Sequence, residues 1–149
     1  MAMEARTLRL QTPAGTLAVP VELERRAACG ERPYARVRLC LQGNALCGEG
    51  WNTEKALIAL AKALPEGYAL RCCLSCRHGN FCPCGDDDDE LFCLSDIRPQ
   101  GKADVFFPTS DDTEREKRRR SLFFLCPDYA PQEEGYFTYS SFLYEMRRR

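Results

Sequence analysis

Ten cysteines in 149 residues constrain this chain more than any other feature. Six lie between Cys72 and Cys93, and a seventh is Cys126. The dense stretch reads Cys72-Cys73-Leu74-Ser75-Cys76-Arg77-His78-Gly79-Asn80-Phe81-Cys82-Pro83-Cys84-Gly85, and it holds the only histidine, His78. Thiolates and imidazole are preferred ligands of Zn²⁺. In a reducing compartment, clustered cysteines serve as ligands or reactive thiols more often than as disulfides. A cysteine-rich half therefore has to fold around a metal, a redox pair or simple burial of small apolar groups.

Cys73-x-x-Cys76 has the spacing of a zinc knuckle, in which a tight turn presents two sulfurs to one ion and Gly79 lets the chain reverse. A tetrahedral ion needs two more ligands. Cys82 and Cys84 offer a compact completion through Cys82-Pro83-Cys84-Gly85. Cys93 and Cys126 offer a long-range one, each following an apolar run, and His78 could replace one cysteine. Strand alternation over 68–74 assigns Cys72 to the core and Cys73 to the site. Cys29, Cys40, Cys47 and Cys72 read as small buried hydrophobes.

The rest of the chain reads as α+β, with a mainly antiparallel sheet, one well-defined helix and a zinc-knuckle-like, cysteine-rich loop region. The length suits a single domain over 1–149, with strands and a helix over 5–74 and the cysteine-rich half over 72–149. Residues 7–11 and 16–23 alternate around Thr12-Pro13-Ala14-Gly15, a hairpin with a four-residue connection. Pro20 places the second strand at an edge or bulge. Tyr34 to Leu41 is a third strand, with Val37, Leu39 and Leu41 on one face. Asn52 or Thr53 caps a helix whose stripe is Leu57, Leu60, Ala61 and Leu64 and which Pro65 and Gly67 stop. Trp51 is expected to pack back on the core. Further strands are expected at 68–74, 90–94, 105–107 and 121–126. A solvated helix or loop is expected at 110–120, a loop at 127–134, and a short C-terminal helix through Phe142, Leu143 and Met146.

The set Leu64-Pro65-Glu66-Gly67, Cys73-x-x-Cys76, Asn80-Phe81-x-Pro83-x-Gly85, Cys93 and Cys126-Pro127 resembles a family of small bacterial proteins with no assigned activity. It covers about half the chain. The resemblance implies that Pro83 and Gly85 belong to a turn, and it favours Cys93 and Cys126 over Cys82 and Cys84 as the second ligand pair.

Composition narrows the function classes. A formal net charge of -1, from 21 basic and 22 acidic residues, argues against a protein that coats nucleic acid. The acidic run Asp86 to Glu90 lacks the ligand spacing of a calcium loop and reads as a solvated tip. Arg115 to Arg120 and Arg147 to Arg149 read as solvated surface, with RNA contact as the rival. No stretch suits an export signal or a membrane span, so a cytoplasmic setting is expected. Phosphate-binding loops, nucleophile elbows and metalloprotease motifs are missing.

The sequence thus points to a non-enzymatic protein-interaction module with one structural Zn²⁺ on Cys73, Cys76, Cys93 and Cys126, acting on a protein partner. The rivals are a thiol–disulfide redox protein using Cys73 and Cys76, and a nucleic-acid-binding zinc protein using Arg118, Arg119 and Arg120.

Overall fold

The computed structural model describes residues 2–26 and 32–148. Cys29, expected to be buried, lies outside them, as does Arg149. The chain is α+β, and it divides into two compact units, Met1–Leu70 and Arg71–Arg149.

The first unit is a five-stranded antiparallel sheet carrying one helix. Strand β1 (Ala2–Thr12) pairs along its full length with β2 (Gly15–Arg26), and Thr12 faces Gly15. The connection is therefore Pro13-Ala14 alone, two residues rather than four. Thr12 Oγ1 shortens it by accepting the Ala14 N–H (3.1 Å) and donating to the Gly15 carbonyl (2.9 Å). Strand β3 (Tyr34–Leu41) pairs with β2 only over Glu22–Arg26, so Pro20 sits where β2 has a single neighbour and its missing N–H is tolerated.

Strand β4 (Asn44–Gly50) returns along β3, and the short β5 (Ala69–Leu70) closes the other edge, giving the order β4-β3-β2-β1-β5. Sequence alternation does not reveal β4, which carries two glycines. The available signal was the turn: Gln42 (φ 51°) and Gly43 (φ 80°) both take positive φ, as a two-residue hairpin of the primed type requires.

Helix α1 (Thr53–Ala63) covers β3 and β4. Asn52 caps it, its side chain accepting the Lys55 N–H at 2.8 Å. Ala56, Leu57, Leu60 and Ala61 are buried, along with Leu8, Leu10, Leu23, Val37 and Leu39 of the strands. Burial of such side chains against one another is the main source of the fold's stability. Gly48 lets the helix sit this close: a Cβ there would lie 2.2 Å from the Ala56 carbonyl oxygen and 2.3 Å from the Leu60 nitrogen. Both are backbone atoms and neither can swing away. Gly48→Ala is expected to destabilise the protein by about 3 kcal/mol, the upper range for overpacking, read as a lower urea midpoint at unchanged slope.

Three further expectations for this unit are corrected. Cys40 and Cys47 are exposed rather than buried, because both point to the sheet face opposite Leu39 and Leu41. Trp51 is 61% exposed and does not return to the core. The strand expected over 68–74 ends at Leu70, where pairing with Leu10 stops.

The second unit has short elements. A 3₁₀ turn (Cys73–Ser75) leads to β6 (Gly79–Asn80), which pairs with β7 (Leu91–Cys93), which pairs with β8 (Arg119–Arg120). Helices α2 (Lys102–Ser110), α3 (Asp112–Arg118) and α4 (Phe142–Arg147) complete it. Leu74, Leu91, Phe92, Leu94, Val105 and Leu122 form its buried core.

Two expected strands are absent here. Residues 105–107 are helical: Val105 and Thr109, four apart, are the buried positions, while Phe107 is 72% exposed. Residues 121–126 are not a strand because β8 already occupies the edge of β7. Asp89 Oδ1 also holds them in a turn, accepting from Ser121 Oγ (2.8 Å) and the Leu122 N–H (3.0 Å). Residues 112–118 take the solvated-helix form, with no buried residue.

Among the described residues no helix is long and apolar enough to cross a membrane.

Candidate metal centre

Three backbone segments build the neighbourhood of the cysteines. The first is the turn Cys73 to Cys76. The Cys76 N–H donates to the Cys73 carbonyl (3.2 Å), and the Gly79 N–H donates to the Cys76 carbonyl (3.1 Å). Gly79 is needed here for space: a Cβ would lie 2.2 Å from the Cys73 oxygen. The second segment runs past 122–131. The Cys73 and Leu74 N–H groups donate to Phe124 (2.6 Å) and Leu122 (3.2 Å), and the Arg77 N–H donates to Ala130 (2.7 Å). This brings Cys126 alongside the turn. The third is β7, where Cys93 stands opposite Gly79.

The electrostatics record this convergence. Burial pushes the Cys73 thiol far above its ordinary value, and the charges of Cys72, Cys76, Cys126 and Cys93 push it further. Burial also raises Cys76, as do Cys126 and Cys93, against backbone N–H groups of Ala130 and His78 that favour its thiolate. Each of the four expected ligands therefore lies within electrostatic reach of the turn. Among the described residues, no group of three or more His, Cys, Asp or Glu side chains is set to hold a metal ion. The four sulfurs share a neighbourhood without standing at coordination distance.

The alternation that separated Cys72 from Cys73 does not operate, since the segment is a 3₁₀ turn. Cys72, Cys73 and Leu74 are all buried. Cys72 does lie in the core as expected. Its thiol is raised to about 11 by burial, against N–H groups of Leu74 and Ser75 that favour the thiolate. Ser75 Oγ bonds Tyr129 Oη at 2.9 Å, and burial raises that phenol to about 12.

The other candidates stand elsewhere in the unit. Cys82 and Cys84 flank the Ser110 hydroxyl at 3.9 and 3.8 Å. His78 packs edge-on against Tyr136, ring centroids 5.8 Å apart, with its Nδ1 3.4 Å from the Tyr136 hydroxyl.

The charged runs are drawn into the fold. Glu90 is buried rather than part of a solvated tip, with Arg119 at 2.5 Å and Arg115 at 3.1 Å. Arg115 also stacks over Phe92, 4.5 Å from the ring centroid. Arg118 grips both oxygens of Asp96 (2.6 and 3.0 Å) and accompanies Glu114 at 3.3 Å. Arg119 adds Glu116 at 2.7 Å. The Glu114/Arg118 pair stands at the helix-supporting spacing legible in the sequence, whereas Glu90 and Asp96 were hidden because they lie 22 to 29 residues from their arginines.

Burial alone would raise the Glu90 carboxyl, but the Asp87 N–H and the guanidinium groups of Arg119 and Arg115 outweigh it, so the carboxyl lies below its usual range. A carboxyl lowered in the folded state contributes stability that is complete above its unfolded value, about 4.3, and is lost as pH falls through the folded value. Glu90→Gln is therefore expected to cost about 2 kcal/mol near pH 7, as for a charge-assisted hydrogen bond, and far less at an acidic pH below the carboxyl's folded value, where both forms are neutral. Urea unfolding of both proteins at the two pH values checks this.

No protein-family model matches the chain, and no curated protein matches it at a significant level.

Proposed function

We propose that this is a small zinc-binding protein of the cytoplasm, in which one structural Zn²⁺ on Cys73, Cys76, Cys93 and Cys126 organises the second unit as a protein-interaction module. The observation that carries the reading is that backbone hydrogen bonds join the Cys73–Cys76 turn to the path of 122–131 and set Cys93 opposite Gly79, so that three separate segments bring these four thiols into one neighbourhood. Cys73 and Cys76, buried thiols that resist ionisation, are poor nucleophiles and good ligands once an ion replaces their protons. This disfavours a redox role for Cys73 and Cys76, which would need an accessible, lowered thiol.

Backbone N–H groups of Ala130 and His78 directed at Cys76 suit a metal-bound thiolate. The cavity beside Cys93 is lined by Lys117, Arg118 and Arg120 together with Asp96 and Glu114, and its small positive surplus opposes the negative charge of a four-thiolate zinc site. With four protein ligands the ion keeps no open position, so it supplies folding free energy rather than hydrolytic chemistry.

A protein partner is favoured over nucleic acid because Arg115, Arg118 and Arg119 are already paired. Phe107 and Tyr144 are 72% and 66% exposed, and such aromatics are enriched at protein interfaces.

The test is metal content after purification without added metal. About one zinc per chain is expected, retained by Cys82→Ser and lost by Cys126→Ser. Full retention by Cys126→Ser would reject this ligand set.

A further inference from the structure

We propose that Cys82 and Cys84 form a redox-active dithiol, separate from the metal ligands, that exchanges with low-molecular-weight disulfides and closes to an internal Cys82–Cys84 bond. The two cysteines sit on one β-turn: the Gly85 N–H donates to the Cys82 carbonyl at 3.0 Å, with Pro83 and Cys84 as the central residues. Pro83 fixes its own φ, so the turn is stiff. The Cys82 N–H donates to Asp86 Oδ1 at 2.7 Å and closes the base of the loop.

Both sulfurs face the end of α2. The Ser110 hydroxyl donates to Cys84 Sγ at 3.8 Å and lies 3.9 Å from Cys82 Sγ, and the Cys84 N–H donates to Cys82 Sγ at 3.4 Å. Positions i and i+2 of a turn satisfy the Cα separation of roughly 4.4–6.8 Å that a disulfide takes.

The two thiols differ in access and environment. Cys84 is exposed, whereas Cys82 is 3% exposed. Burial would raise the Cys82 thiol, but hydrogen bonds from Thr109, the Cys84 N–H, Ser110 and Arg115 outweigh it and favour the thiolate.

This division sets the order of events. Cys84, as thiolate, attacks one sulfur of the external disulfide. That S–S bond breaks, one thiolate leaves and takes a proton from water, and a mixed disulfide forms on Cys84. The Cys82 thiolate then attacks Cys84 Sγ, the mixed bond breaks, and the second thiol departs. Two electrons and two protons pass from the dithiol to the external disulfide, which leaves as two thiols.

The experiment uses the full chain as purified, with oxidised glutathione as probe, followed by alkylation and mass spectrometry. Cleavage after Arg77 and at the acidic residues 86–90 separates the pair from Cys72, Cys73 and Cys76 on one side and from Cys93 on the other. The expected result is a Cys82/Cys84 fragment lighter by two hydrogens and closed to alkylation. Cys82→Ser is expected to trap glutathione on Cys84, and Cys84→Ser to lose the closed product entirely. Complete alkylation of both cysteines after oxidation would overturn the proposal, as would glutathione remaining on Cys84 of the unaltered chain. Neither outcome depends on whether zinc is bound.

Discussion

Replacing Cys76 by serine is expected to release the zinc and unfold the second unit while the sheet of the first persists. Cys76 has the most local support of the four proposed ligands. Its carbonyl accepts the Gly79 N–H, its N–H donates to the Cys73 carbonyl, and the backbone of Ala130 and His78 favours its thiolate. A structural zinc supplies roughly 10–16 kcal/mol of apparent folding free energy at neutral pH. Forfeiting even a third of that costs about 4 kcal/mol, which moves the melting midpoint of a domain of roughly 60–100 residues by about 16–32 °C.

The second unit is the vulnerable one because its sheet strands are two or three residues long. Thermal unfolding followed by amide exchange should show protection lost over 71–148 and kept along β1, β2 and β3. Uniform loss over both units, or no loss at all, would count against a metal-dependent second unit.

Gly79→Ala is expected to weaken the same site without touching a ligand. The added methyl would meet the Cys73 carbonyl oxygen at 2.2 Å and the Leu91 side chain at 3.3 Å. That oxygen also accepts the Cys76 N–H, so relieving the clash means prying open the turn that spaces the first two sulfurs. The expected cost is about 3 kcal/mol in stability, together with faster zinc loss to a competing chelator. Gly48→Ala, an equally crowded glycine in the first unit, is the matched control and should leave the chelator kinetics unchanged.

The first unit was legible where local pattern and tertiary role agree. Val37, Leu39 and Leu41 alternate because one face of β3 is buried, and Asn52 reads as a cap because it is one. β4 escaped because its glycines serve the approach of α1, a requirement no short window contains. In the second unit, Val105-Phe106-Phe107 has strand composition yet lies in a helix, where spacing four apart, Val105 to Thr109, decides what is buried. The turn at Cys73 was hidden for a related reason: it is held by carbonyls of Leu122 and Phe124, some fifty residues on.

The proposed site rests in the sequence on residue types and spacing, in Cys73-x-x-Cys76. The neighbours of Cys126 were not, since they depend on the path of 122–131. Glu90 looked like one more surface acid, and only the fold reveals the two arginines closing on it.

X-ray absorption at the zinc edge, on protein purified without added metal, reads the ligand set itself. The expected result is one zinc per chain with four sulfur neighbours at about 2.3 Å. A first shell containing nitrogen or oxygen, or protein that is fully folded without bound metal, would contradict it.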